Sequence, residues 1–236
     1  MMLVRNTRTG EQLDLEGSVA ERWHHSCSPW TYGWKSKINP TGYNFSEIEP
    51  ESMHQFWNNN MAFVRSALIA RQLSASIKEL GVTNIIWTQL INSSYTTAVI
   101  EWCKAYGTNN EEFHWKKVFG ENSSFITDLS WELNLTKDDL ERYRVAMTEA
   151  RSKRIAHSNM DGEAEIKLPQ FDTAINMARA THALVIELIP RIPTEPNEIY
   201  RLNPPNFESW ITHLQDSISS TIPDALAATK NVVFER

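Results

Sequence analysis

From Pro50 onward, apolar side chains return every three or four residues, and that period dictates helices. Met53, Phe56, Phe63, Ala67, Ala70 and Ile77 keep it, while Val64, Leu68, Leu73 and Leu80 widen the stripe. The spacing predicts a long amphipathic helix over about 51–80, stopped at Gly81. A second helix is expected over about 84–106, from Asn84 as cap to Gly107, with Trp102, Cys103 and Tyr106 buried. Shorter helices are expected at Glu111–Phe119 and Ser124–Leu133. Thr136 stands three residues before Asp139, a capping-box spacing, and Asp138, Asp139 and Glu141 suit the positive end of a helix. That helix should run to about His157 along Leu140, Tyr143, Met147 and Ala150. Pro169 opens the next, with Phe171, Ile175, Ala178, His182, Val185 and Ile189 on one stripe, and Pro190 and Pro193 close it. A Pro-rich link leads to a last helix over about 206–229, which Pro223 can break.

Glycine is scarce, 8 in 236 residues, roughly half its usual share. With no run of short, turn-punctuated strands, this disfavours a sandwich or barrel. The expected fold class is all-α, an antiparallel helical bundle. Residues 1–49 read differently. Pro29, Pro40, Gly33 and Gly42 stand among Trp23, Trp30, Tyr32, Trp34, Tyr43 and Phe45. This predicts an irregular aromatic-rich segment that wraps over the bundle, or alternatively a ligand platform. The domain plan is thus the wrap at 1–49, the bundle at 50–192, and the link and C-terminal helix at 193–236, packed on the bundle.

Two cysteines, Cys27 and Cys103, make neither a disulfide framework nor a zinc ribbon and predict reduced thiols. Met1–Leu15 carries Arg5, Arg8, Glu11 and Asp14 and lacks the apolar core of a signal peptide. The expectation is a cytoplasmic protein with no membrane span. The net charge of −6 excludes a broad basic nucleic-acid coat. No His-Glu-x-x-His, Gly-rich phosphate loop or Gly-x-Ser-x-Gly occurs, so neither metal nor cofactor is implied.

One segment departs from this background. Residues 142–157 read RYRVAMTEARSKRIAH, with Arg142, Arg144, Arg151, Lys153 and Arg154 against Glu149 alone. The local charge of +4 leaves −10 for the rest of the chain. Such a cluster is either a solvated helix face or an anion site. Within it stands Arg151-x5-His157. Histidine moves protons near neutral pH, and arginine offers a planar fork that matches phosphate oxygens. Together they suit metal-free RNA cleavage, in which the 2′-hydroxyl is the nucleophile and the charge on phosphorus needs a cation. The spacing alone is weak, since a chain with this Arg and His content gives roughly one such match by chance.

The helix ending Arg151-Ser152-Lys153-Arg154-Ile155-Ala156-His157 resembles the Arg-polar-Lys-x-x-Ala-His ending of the abortive-infection U-type branch of the HEPN superfamily. The upstream block His114-Trp115-Lys116-Lys117-Val118-Phe119-Gly120 is similar too. The resemblance spans roughly residues 84–190. It implies a HEPN-like bundle and a metal-independent endoribonuclease of phage defence or toxin type. Arg151 and His157 would be catalytic, and two copies of each would meet across a homodimer axis. Ser152 would orient His157 or contact substrate, with Lys153 and Arg154 as further RNA contacts. The resemblance also implies an RNA substrate and, for a toxin, an antitoxin or regulatory partner. Active members commonly place Asn, Asp or His where Ser152 stands. The alternative is therefore a non-catalytic HEPN-like dimeric module that binds a nucleotide, an RNA or a partner protein. The bland alternative for the Arg/His pair is a surface accident, and for Arg154 a salt bridge or helix cap.

Overall fold

The computed structural model describes residues 3–6, 12–14, 30–31, 40–82, 84–152, 169–192 and 204–229. The chain divides into two units, residues 1–37 and 38–236.

In the first unit, strands β1 (Leu3–Asn6), β2 (Gln12–Asp14) and β3 (Trp30–Thr31) form an antiparallel sheet in the order β2-β1-β3. Val4 pairs with Leu13, and Arg5 with both Gln12 and Thr31. This corrects the expectation of a wholly irregular segment. Strands of two to four residues offer too little alternation to show a period of two, and their pairing is non-local. The side chains of Trp23, Trp30, Tyr32 and Trp34 lie outside the described residues, as does the expected wrap they would make.

The second unit is all-helical among its described residues. Its seven described α-helices are α1 (Pro50–Leu80), α2 (Ile85–Tyr106), α3 (Trp115–Phe119), α4 (Phe125–Leu133), α5 (Lys137–Arg151), α6 (Phe171–Leu188) and α7 (Phe207–Thr229). Each boundary has a local cause. Pro50 starts α1 at a position that needs no amide donor, and Gly81 ends it in the left-handed region at φ 64°. The Asn84 side chain accepts from the Ile86 amide at 2.9 Å and caps α2. Thr136 and Asp139 form the reciprocal capping box at the start of α5. Asn134 turns left-handed, at φ 52°, to close α4. α7 runs through Pro223 without the expected break. Ser219, four residues earlier, is exposed, so the carbonyl that proline leaves unbonded can be hydrated.

α1 is the hub, packing against α2, α6 and α7. Phe56 is fully buried and meets Tyr106, Phe119 and Phe125 edge-on, at ring centroids of 5.6, 5.3 and 5.7 Å. One buried polar network joins three helices. The Tyr106 hydroxyl donates to Asn60 Oδ1 at 2.8 Å and shares a 2.7 Å hydrogen bond with the Thr181 hydroxyl. Asn60 Nδ2 in turn donates to the Phe56 carbonyl at 2.9 Å. Burial raises the Tyr106 pKa, so the hydroxyl stays a donor at all ordinary pH. Residues 40–48 pack with the helices: Tyr43 and Ile48 are buried, and the Tyr43 hydroxyl donates to Asp128 of α4 at 2.7 Å. His182 is a core residue between Trp57 and Phe207, with Nε2 at 3.1 Å from the Pro204 carbonyl. No described helix is long and apolar enough to cross a membrane.

Candidate functional site

Helix α5 carries the basic segment. Leu140, Met147 and Ala150 are buried and Tyr143 is half-buried, so this face packs on the core. Arg144 and Arg151, two turns apart, lie together at the border of that face and about 10 Å apart along the axis. Both reach the connection between α2 and α3. Arg144 donates to the Gly107 carbonyl at 2.9 Å and forks onto Glu141 at 2.7 and 2.5 Å. Arg151 Nη1 meets Glu111 Oε1 at 2.6 Å, with 36% of the arginine side chain and 25% of the glutamate side chain exposed. Arg142 pairs with Asp139 on the opposite, solvated side.

These pairings revise the basic cluster. The three arginines of α5 each have a carboxylate within reach, two of them from acids three residues upstream on the same helix. A window opened at Arg142 omits Asp139 and Glu141, and sequence distance hides Glu111. Ser152 keeps helical geometry as the last described residue of this stretch, its amide bonded to the Thr148 and Glu149 carbonyls. Lys153, Arg154 and His157, with the expected continuation of the helix to His157, lie outside the described residues. The structure therefore places Arg151 and Ser152 and leaves the other predicted site residues unplaced. Tyr143 donates to the Gln170 carbonyl at 2.9 Å, which ties α5 to the start of α6.

Cys103 sits behind this pair, fully buried, its thiol 3.8 Å from the Met147 carbonyl. Burial pushes its pKa up to about 12; Arg151 opposes the shift and Glu111 adds to it. It is an inert packing thiol.

Beside Arg144 the surface opens into a cavity of about 490 Å³. Its walls come from the end of α2 (Trp102, Tyr106), the connection to α3 (Asn109, Asn110, His114) and the first two turns of α5. Sequence reasoning did not single out this cavity, because its walls come from five helices and the α2–α3 connection, with Trp115 and Lys116 of α3, Ile126 of α4 and Met177 of α6 completing them. Its local signal is the start of the His114–Gly120 block, of which His114, Trp115 and Lys116 line it. The Nδ1 atom of His114 accepts from the Lys116 amide at 3.3 Å, so the proton of the neutral ring sits on Nε2. His114 is 1% exposed, and its ring N–H faces the Tyr106 carbonyl as acceptor. The indole Nε1 of Trp102, also 1% exposed, has no hydrogen-bond partner among the described residues.

Burial pushes the His114 pKa down to about 4; the nearby Tyr106 carbonyl opposes this, while Lys116, Arg144 and Lys117 reinforce it. A free histidine titrates near 6.5. As pH falls below about 6.5 the unfolded chain takes up this proton first, so stability present above that pH declines toward pH 4. Two and a half units correspond to about 3 kcal/mol. His114→Asn keeps an acceptor for the Lys116 amide but does not titrate. In urea unfolding at pH 7 and pH 4.5, the wild type should lose about 2 kcal/mol more than His114→Asn. Equal losses would contradict the shift.

Among the described residues, no group of three or more His, Cys, Asp or Glu side chains comes together as a metal site. Comparison of the chain with protein-family models, with curated proteins and with solved structures returns no match.

Proposed function

We propose that the chain is a HEPN-type, metal-independent endoribonuclease of phage-defence or toxin type, acting as a homodimer. The observation that carries this reading is Arg151. It ends a well-capped helix, is partly exposed, and pairs with Glu111, a carboxylate that an RNA phosphate can replace. Six residues further along the chain comes His157. In the proposed reaction His157 takes the proton of a 2′-hydroxyl, whose oxygen attacks the adjacent phosphorus. Arg151 neutralises the charge on the phosphoryl oxygens, and the O5′ leaving group gains a proton from the partner's copy of the histidine. The products are a 2′,3′-cyclic phosphate and a free 5′-hydroxyl. Ser152 orients the imidazole or touches substrate, and Lys153 and Arg154 contact the strand.

A second reading has its own observation. Glu111 already holds Arg151, and Ser152 is not among the residues usual after the arginine in active HEPN nucleases. Both suit a non-catalytic dimeric module that binds a nucleotide, an RNA or a protein. EDTA-resistant RNA cleavage by the wild type, lost in His157→Ala, separates the two. A toxin would also have an antitoxin or regulatory partner.

A further inference from the structure

We infer that the exposed face of the first half of α2 is a self-association surface, on which a second copy of this chain packs its own α2 antiparallel. The contact lies apart from Arg151 and stands whether or not the protein cleaves RNA.

Residues 80–100 are the longest stretch of the chain without Asp, Glu, Lys, Arg or His, in a sequence that is 22% charged. Charge-free helices are ordinary inside a core. This one is not inside: no residue from 84 to 97 is buried. Ile85, Ile86 and Leu90 are 59%, 42% and 43% exposed. A solvated helix face carries charged and polar side chains, whereas the centre of a protein interface is depleted of charge. The inner side of this half-helix is already fixed. The Trp87 indole donates to the Thr229 hydroxyl of α7 at 3.0 Å, and the Tyr95 ring meets Phe171 of α6 at 5.4 Å. The outer side is thus presented on a rigid support.

The outer stripe is self-complementary in size. Ile86, Leu90, Ser93 and Thr97 follow a four-three-four spacing, share one face and are all exposed. The first two are bulky and the last two are small. Antiparallel pairing about a two-fold axis between residues 91 and 92 sets position 86 of one copy against 97 of the other, and 90 against 93. Each large side chain then meets a small one, and the symmetry makes every such contact twice. The serine and threonine hydroxyls can return their hydrogen bonds to carbonyls one turn back, so neither is stranded.

The charge pattern selects a copy of the chain over other occupants. Each copy carries −6, so two copies repel wherever acidic faces meet, and a charge-free face removes that repulsion. A charged partner would find no opposite charge in the stripe. A helix lying on a membrane surface carries Lys or Arg along its polar side, and residues 80–100 have none. Residues 85–100 make a helix about 24 Å long. Two such helices bury less than the roughly 1,200 Å² at which stable interfaces begin, so the association is reversible, with a Kd of about 10–100 µM. The centre of the stripe is about 17 Å along α2 from Cys103, which lies behind the Arg151–Glu111 pair, so this axis keeps the two Arg151 residues apart. A chain that also dimerised at Arg151 and His157 would have two such contacts and assemble beyond the dimer.

The test is sedimentation velocity of the full chain between about 5 and 300 µM, a range that brackets the expected Kd. The wild type should shift to larger species with a midpoint in that range, and Leu90→Glu should weaken the shift at least about tenfold. Leu90 is exposed, so this variant should keep the wild-type melting temperature. A second dimer through Arg151 and His157 would survive in Leu90→Glu, which would then stop at the dimer while the wild type goes further. Cross-linking maps the face directly. In a Cys27→Ser background oxidised with diamide, Ser93→Cys should give a disulfide-linked dimer at least about tenfold faster than Thr212→Cys on the exposed side of α7. The proposal is overturned if Leu90→Glu sediments as the wild type does, a monomer throughout included, which would leave the face to a different protein. It is also overturned if Ser93→Cys links no faster than Thr212→Cys.

Discussion

Arg151→Ala is expected to lower RNA cleavage by about 10²–10³-fold, the usual worth of one donor to the charge that develops in a transition state. Arg151→Lys should recover only part of this, because an ammonium keeps the charge but lacks the planar fork that spans two phosphate oxygens. The Glu111 pair supplies the control. If Arg151 acted only by pinning the 107–111 connection through Glu111, then Glu111→Gln would slow cleavage as much as Arg151→Ala. On the proposed mechanism Glu111 merely competes with phosphate for the guanidinium. Glu111→Gln should then keep cleavage within about fivefold of the wild type, the worth of a partly exposed ion pair. Initial rates on one RNA for the four proteins, at matched melting temperatures, separate these cases. Equal losses in Arg151→Ala and Glu111→Gln would reduce Arg151 to a structural residue.

Phe56→Ala should cost about 3–5 kcal/mol of unfolding free energy, the range for removing a buried aromatic and leaving its cavity. Phe56 is fully buried and sits edge-on to three rings from α2, α3 and α4. Losing it therefore loosens Tyr106 and Phe119, which hold the two ends of the 107–116 stretch. Against a total stability of about 5–15 kcal/mol, such a loss leaves a partly unfolded protein at physiological temperature. Val145→Ala, at a 40% exposed position of α5, should stay within about 0.5 kcal/mol of the wild type. Urea unfolding followed by tryptophan fluorescence measures both. A loss under about 1 kcal/mol for Phe56→Ala would mean the aromatic cluster is not where the core stability lies.

Helices were legible in the sequence where their signals are local. Pro50 and Gly81 bracket α1, Asn84 caps α2, and Thr136 with Asp139 starts α5, as the spacing implies. The apolar stripe of α6 also packs as its period requires, with His182 in the core rather than at a site. What depends on distant pairing was not legible. The strands of residues 3–31 are too short to show alternation, and Leu3 finds Asp14 only through the sheet. The partner of Arg151 is 40 residues away, so its charge looks free until the chain folds. The cavity draws its walls from five helices and the α2–α3 connection, and no single window holds its pattern. Ile85, Ile86 and Leu90 mark a further difference. They belong to an apolar helix yet stay exposed, since periodicity reports an apolar face but not which part of it finds a neighbour.

The most direct test of the proposed nuclease is cleavage of single-stranded RNA in excess EDTA by the wild type and by His157→Ala, both shown to be folded by matching melting curves. The predicted result is wild-type cleavage that leaves 2′,3′-cyclic phosphate ends and a loss of at least about 10³-fold in His157→Ala. Equal cleavage by the two proteins, or none by the wild type, would contradict it.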